Sequence, residues 1–248
     1  MFQLRFALPA VALTLCCAGA VAASAIDDAN NAVRAARDGK YDEAIRLFSN
    51  AINSDELNLS GRAQAYAYRG IAKATTGDYD GAREDLNYSV ALQSDYSADA
   101  YAFRGYFELV QGDSSKAAAD LATSAAQKIW PYNVLWLSLA REKAHIPDTD
   151  NLSLKAHAAR LDLTQWPGTV VRYLMGEGTV ESVNTATKEG DPARLNERVC
   201  DADFYVAERN LARGDAASAK PLLQHAVQIC PFASFERMGA TAELMRIK

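Results

Sequence analysis

Histidine and cysteine are scarce in this sequence, which has three histidines and four cysteines in 248 residues. His145, His157 and His225 share no spacing with one another or with acidic residues that would complete a metal site. A Gly-x-Ser-x-Gly motif, a glycine loop for phosphate and a close Cys-His pair are also missing. We therefore expect a protein that is not an enzyme and uses no metal or cofactor. The alternative is an active site assembled from the middle of the chain.

Clusters of basic residues are missing as well. The chain has 26 Lys and Arg against 31 Asp and Glu. Nucleic acids and anionic membranes attract clustered Lys and Arg, so we expect neither as a partner. After the first 25 residues, no apolar run approaches the roughly 20 residues of a membrane-spanning helix, and we expect no transmembrane span.

The first 25 residues have the pattern of a secretory signal peptide. Arg5 precedes an apolar run, which ends in the small residues Ala23-Ser24-Ala25. We expect cleavage after Ala25 and a periplasmic or secreted mature protein, with a net charge of about −6.

Cys16 and Cys17 raise the alternative of a lipid anchor. A lipidated cysteine normally follows a small residue, whereas Leu15 precedes Cys16 and Cys16 precedes Cys17. We therefore expect no lipidation.

Five residues of one stretch recur 35 positions later. The pairs are Tyr66 and Tyr101, Gly70 and Gly105, Gly77 and Gly112, Ala82 and Ala117, and Leu86 and Leu121. A period of this length is typical of a repeated pair of helices. Gly70 and Ala82 are predicted to lie where the two helices approach closely, and Gly77 to end the first helix.

Weaker copies of the pattern lie on either side. The earlier copy has Gly39, Tyr41, Ala44, Phe48 and Ala51, and the later copy has Gly214, Ala219, Leu223, Ala226 and Pro231. The pattern resembles the tetratricopeptide repeat, present four times. The resemblance implies an all-α solenoid of helical hairpins.

Between residues 131 and 199 the repeat stops but helical periodicity continues. We expect a helix from Pro131, helices at 152–161, 167–176 and 179–189, and a long helix from Asp191 to Arg213. The predicted organisation is a signal peptide (1–25), three repeats (26–130), an irregular helical segment (131–199), and a fourth repeat with a C-terminal capping helix (200–248). Pro221 predicts a kink or a late start of its helix.

Charged residues within the repeats have a matching spacing. Asp85 follows Arg69 at the same interval in the chain at which Asp120 follows Arg104. This shared interval predicts a salt bridge within each hairpin, because a partly buried charge requires a partner.

Cys200 and Cys230 lie at similar distances along the chain on either side of Gly214. If Gly214 is the turn between two antiparallel helices, the cysteines lie about 21 and 24 Å from it and can meet. We expect a disulfide, with free thiols or a redox-active pair as the alternatives.

The first helices of tetratricopeptide repeats line a groove that binds partners. Eight residues hold its equivalent positions: Val33, Ile71 and Tyr106; Ala67 and Ala102 one turn before; and Arg37, Thr75 and Val110 one turn after. This mostly apolar set predicts a site for an extended or helical apolar segment. The alternative is that neighbouring helices or a second subunit cover these residues.

Four stretches carry a more specific resemblance: residues 133–140, 170–183, 201–219 and 235–244. In order and spacing they look like the NlpI-type periplasmic tetratricopeptide lipoproteins of Gram-negative bacteria. The resemblance implies an adaptor, often a homodimer, that brings peptidoglycan hydrolases to a carboxyl-terminal-processing protease. A self-assembling envelope scaffold or assembly factor is the alternative.

Overall fold

Every regular element in the described part of the chain is a helix, and the predicted all-α class is confirmed. The computed structural model describes residues 22–148 and 152–247. The N-terminal helices are α1 (Ala22–Arg37), α2 (Tyr41–Asn53), α3 (Leu59–Thr76), α4 (Tyr79–Ala91), α5 (Ser97–Gln111) and α6 (Ser114–Gln127). They are followed by α7 (Pro131–Lys143), α8 (Leu152–Ala158), α9 (Gly168–Met175), α10 (Val180–Ala186), a 3₁₀ turn (Pro192–Arg194), α11 (Leu195–Ala212), α12 (Ala216–Ile229) and α13 (Phe235–Arg246).

The predicted signal peptide falls almost entirely outside the described residues, and so do Cys16 and Cys17. The expected cleavage position after Ala25 lies within α1. In the described ranges, no helix combines the length and the hydropathy needed to cross a bilayer.

The chain divides into two compact units at Arg104 and Gly105, within α5. In the first unit, α2 packs against α1 and α3, and α3 packs against α4. In the second unit, α6 packs against α7, and α11, α12 and α13 pack against one another. The predicted boundaries after residues 130 and 199 describe sequence repeats and do not coincide with this division.

Two glycines of the repeated pattern lie directly against the following helix. A Cβ atom on Gly70 would be 3.1 Å from the carbonyl oxygen of Ala82 and 3.1 Å from Cγ of Leu86. A Cβ atom on Gly105 would be 2.7 Å from Cγ of Leu121. The predicted close approach is therefore present in both copies, and a larger residue would separate the helices.

The glycines predicted to break the chain between paired helices have left-handed backbone. Their φ angles are +77° at Gly39, +91° at Gly77, +94° at Gly112 and +78° at Gly214. Glycine adopts this conformation without the steric cost of a side chain, so it ends each first helix sharply.

The middle helices α7 to α10 begin within one residue of their predicted positions. The predicted late start of the last repeat helix is wrong, because α12 begins at Ala216 and Pro221 lies inside it. The carboxylate of Asp215 accepts a hydrogen bond from the amide of Ser218, which stabilises this early start.

The predicted Arg69–Asp85 salt bridge is confirmed. Two guanidinium nitrogens of Arg69 donate to the carboxylate of Asp85 at 2.7 and 2.8 Å. Lys73 Nζ lies 2.9 Å from the same carboxylate, whose side chain is 2% exposed. Asp85 thus joins two cations of α3 to α4, while the Arg104–Asp120 pair stays a prediction.

The predicted disulfide is also present. Cys200 of α11 and Cys230 at the end of α12 are bonded, with their Cα atoms 5.0 Å apart. The bond closes the hairpin that turns at Gly214.

Replacing Asp85 with leucine leaves Arg69 and Lys73 without their shared carboxylate. We expect Asp85→Leu to lower the free energy of unfolding by about 3 kcal/mol, and Arg69→Leu/Asp85→Leu to lower it less. Urea unfolding followed by circular dichroism measures both. Glu84→Leu, at the adjacent exposed carboxylate, is the control and should change stability by about 0.5 kcal/mol or less. A double variant as unstable as Asp85→Leu would contradict the pairing.

The disulfide closes a loop with a sequence separation of 30 residues. Cys200→Ala/Cys230→Ala should lower the free energy of unfolding by about 3–4 kcal/mol, because the unfolded chain gains conformational entropy. Alkylation of the wild-type protein unfolded in urea without reductant, followed by peptide mass mapping, should leave both cysteines unmodified. Alkylated Cys200 and Cys230 peptides would show that the bond does not form.

Candidate protein-binding surfaces

The eight predicted groove residues lie on the first helices of three successive pairs. Val33 and Arg37 are on α1, Ala67, Ile71 and Thr75 on α3, and Ala102, Tyr106 and Val110 on α5. Four are buried, with relative exposures of 0% for Ala67, 3% for Ile71, 4% for Ala102 and 4% for Tyr106. As accessible contacts these four were wrongly predicted, because the protein itself covers them. Val33, Arg37, Thr75 and Val110 are half-buried.

Tyr106 is covered by two rings of the second unit. Its ring centroid lies 5.1 Å from that of Phe235 in α13 and 5.3 Å from that of Trp136 in α7. In the last turn of α13, Arg246 donates a hydrogen bond of 2.8 Å to the carbonyl oxygen of Val110. At this position the chain's own C-terminal helix fills the predicted groove.

The first unit keeps three half-buried groove residues, Val33, Arg37 and Thr75, which we call the α1–α3 surface. The two helices contact each other. Arg37 is the charged member of the predicted groove, and its Nε atom is buried without a hydrogen-bond partner among the described residues. The partly exposed remainder of the Arg37 side chain gives this surface a positive charge.

The first unit also contains an aromatic cluster around Tyr68 of α3. The ring of Tyr68 lies 6.0 Å from Phe48, 5.9 Å from Phe103 and 6.5 Å from Tyr96, measured between centroids. Burial raises the pKa of Tyr68 to about 12 and also raises the pKa of Tyr96. Both phenols are thus neutral near pH 7, and their packing fixes the position of α3.

The second unit holds α13 through close contact with aromatic rings. A Cβ atom on Gly239 would lie 2.8 and 2.9 Å from ring atoms of Phe204 in α11 and 3.5 Å from Trp136 in α7. The backbone of α13 therefore rests directly on these rings, and a side chain at position 239 would push the helix away.

Four charged side chains link α13 to α7 and α11. Lys143 Nζ lies 2.7 Å from Glu208 Oε2 and 2.9 Å from Glu243 Oε1. Arg246 Nη1 lies 2.6 Å from the same oxygen of Glu243. We call Lys143, Glu208, Glu243 and Arg246 the charge cluster.

Burial changes the proton affinity of this cluster. Burial raises the pKa of Glu208 to about 7, because the loss of hydration outweighs the lowering effect of the Lys143 ammonium group. Burial alone would lower the pKa of Lys143, but Glu208 and Glu243 raise it above its ordinary value. Lys143 is therefore charged at neutral pH, whereas Glu208 titrates near it.

One group of potential metal ligands occurs in the described part of the chain. Cys200, Asp201 and Glu236 each place one ligand atom within 4.8 Å of the others. The sulfur of Cys200 is bonded in the disulfide and is not a thiolate ligand. Asp201 accepts hydrogen bonds from Tyr132 at 2.9 Å and Trp166 at 2.8 Å. The contacts of Asp201 link α7, the α8–α9 loop and α11.

His225 forms a pair that the sequence analysis missed. Its Nδ1 atom lies 2.6 Å from Asp203 Oδ2, and burial raises the pKa of that carboxyl group. The two residues lie at equal distances along the chain on either side of Gly214, so the counting that predicts the disulfide would also have found this pair. The pair ties α11 to α12.

No local pattern could have revealed the charge cluster. Its members come from three helices, and Lys143 and Glu208 are separated in the chain by all of α8, α9 and α10. His145 and His157, the other two histidines, lie after α7 and in α8. The structure records a contact of 2.7 Å between His157 Nδ1 and the carbonyl oxygen of Ser153, one turn earlier.

Helix pairs that meet at glycine, turn at left-handed glycine and recur along the chain define a tetratricopeptide-type helical repeat protein. No family model matches the chain. It is 29% identical over 190 residues to the lipoprotein NlpI homolog of Haemophilus influenzae, which covers 75% of this chain. The chain spans only 60% of the length of that relative.

The crystal structure of PilW, a widely conserved type IV pilus biogenesis factor, has a similar fold. The TM-score is 0.51 at 18% sequence identity, over 90% of this chain and 100% of PilW. The chain is thus a tetratricopeptide-type protein that resembles NlpI and shares its fold with PilW.

Glu208 should make stability depend on pH. Its pKa of about 7 in the folded chain exceeds the ordinary value of 4.5. The protonated form of Glu208 therefore stabilises the folded chain. This stabilisation is complete below about pH 4.5 and is lost as the pH rises through about 7. Between pH 5 and pH 8, wild type should lose about 2 kcal/mol more unfolding free energy than Glu208→Gln.

Urea unfolding at the two pH values measures this difference. Glu181→Gln, at an exposed carboxylate of α10, should retain the wild-type pH dependence. Identical pH dependence in wild type and Glu208→Gln would show that Glu208 does not titrate in this range.

Proposed function

We propose that this protein is a non-catalytic adaptor of the bacterial envelope, which acts in the periplasm and binds other proteins through its helical repeats. The recurrence of glycine-contacted helix pairs carries this proposal, because such repeats present side chains of successive first helices to a partner. The half-buried α1–α3 surface offers apolar contacts and a cation, which are suited to recognition.

The resemblance to NlpI-type lipoproteins supports a more specific proposal. In it, the adaptor brings a carboxyl-terminal-processing protease together with peptidoglycan hydrolases, and it works as a homodimer. The similarity over 190 residues to a protein named as a lipoprotein NlpI homolog supports membership of this class of adaptor.

The α1–α3 surface favours a partner segment that is apolar and carries an acidic group. Val33 and Thr75 provide apolar contact area, and the half-buried Arg37 provides a positive charge. A carboxylate of the partner would form a charge-assisted hydrogen bond with this guanidinium group. Such an arginine within an apolar surface is a frequent hot spot of protein interfaces.

A self-assembling envelope scaffold is the second candidate. It is favoured by the fold shared with PilW, a pilus biogenesis factor. Light scattering separates the two: a monomer or dimer supports the adaptor, whereas a stable higher oligomer supports the scaffold.

Reversing the charge of Arg37 tests the proposed surface. We expect Arg37→Glu to reduce recovery of the protease and the hydrolase about tenfold in affinity capture from envelope extracts, because the partner's acidic group would be repelled. Arg34→Glu is the matched control, since Arg34 lies on the same helix, is exposed and does not belong to the predicted groove. Circular dichroism checks that both variants fold. Equal recovery by Arg37→Glu and Arg34→Glu would rule out this surface.

A further inference from the structure

We propose that α13 is an internal ligand, which occupies a helix-binding site of the second unit and is replaced there by a partner helix with the same contact residues. The inference rests on the proposed adaptor function and names a second class of segment, which binds the second unit and not the α1–α3 surface. The site is formed by Tyr106 and Val110 of α5, Trp136 and Lys143 of α7, and Phe204 and Glu208 of α11.

The apolar half of the site fits an aromatic side chain and, one helical turn later, a residue without a side chain whose backbone contacts the site. Phe235 lies 5.1 Å from Tyr106 and 6.3 Å from Trp136, measured between ring centroids. One turn later, Gly239 leaves its backbone against Phe204, with no room for a Cβ atom at the present spacing. The site therefore requires Phe and, one helical turn later, Gly.

The polar half of the site fits one acidic and one basic side chain of the bound helix. Lys143 lies 2.9 Å from Glu243, so the site supplies a cation for an incoming carboxylate. The Val110 carbonyl oxygen accepts from Arg246 at 2.8 Å, so the site also supplies an acceptor for an incoming guanidinium group. Complementary polar groups of this kind fix the orientation and register of a bound helix.

The four contact residues of α13 lie on one side of the helix. Phe235, Gly239, Glu243 and Arg246 occupy positions i, i+4, i+8 and i+11, which fall within an arc of about 80°. The partner segment is thus a helix with the pattern Phe-x-x-x-Gly-x-x-x-Glu-x-x-Arg. Helices commonly bind grooves through such regularly spaced anchors.

The position of α13 makes its exchange compatible with an intact fold. The disulfide ends at Cys230, so α11 and α12 stay covalently joined when the chain beyond that residue is displaced. Phe232 in the connector is 52% exposed and Met245 near the end of α13 is 75% exposed. The buried face of α13 is partly ionic, and buried ion pairs stabilise less than apolar packing of the same volume.

A labelled peptide with the sequence of residues 234–247 tests exchange directly. Gly239→Leu in the full chain should expel α13 from the rings and open the site. We expect the peptide to bind this variant at least about tenfold more tightly than wild type, whose own α13 competes at high effective concentration. Fluorescence anisotropy measures both affinities. A control peptide with leucine at the position of Gly239 should bind neither chain.

Arg246→Ala provides a second variant without added bulk. It loses the contacts to Glu243 and Val110 and should bind the peptide more tightly than wild type, but less tightly than Gly239→Leu. Equal affinity of all chains, binding of the control peptide, or no binding overturns the proposal. Loss of helical circular dichroism in both variants also overturns it, since α13 would then be part of the core. These assays contain no partner protein, so their failure leaves the capture experiment with Arg37→Glu unaffected.

Discussion

The close approach of paired helices at glycine is the constraint on which the repeats depend. Gly70 lies against Ala82 and Leu86, and Gly105 occupies the equivalent place against Leu121. A side chain at either glycine would overlap the next helix. The short distance between the paired helices therefore depends on glycine at these positions. Because the same contact recurs in the next copy of the repeat, the chain places successive first helices in equivalent settings, which is the basis of a recognition surface.

The two units use these first helices differently. In the first unit, Val33, Arg37 and Thr75 of the α1–α3 surface are half-buried. In the second unit, the corresponding residue Tyr106 is buried beneath Phe235 of α13. The side chains of the first surface are partly exposed, whereas α13 packs over Tyr106 in the second unit.

Local sequence patterns predicted the parts of the fold that local chemistry determines. Left-handed glycines marked the turns, and counting residues from Gly214 placed Cys200 beside Cys230. Coverage of Tyr106 was the alternative to an open groove, but the helix that covers it could not be predicted, because Phe235 belongs to α13, far from α5 in the chain. The charge cluster was missed for the same reason. Four of the predicted groove residues are therefore buried and not exposed. A repeat pattern identifies which face of a helix points into the groove, but it does not identify the residues that pack on that face.

Site-specific photo-cross-linking in intact cells tests most directly whether the α1–α3 surface is the site of recognition. A photoreactive phenylalanine at Thr75 would lie on that surface, and the same residue at Tyr88 would lie on an exposed part of α4. Protein adducts from Thr75 and none from Tyr88 are the expected result. Adducts from Tyr88 alone, or equal adducts from both positions, would contradict the account.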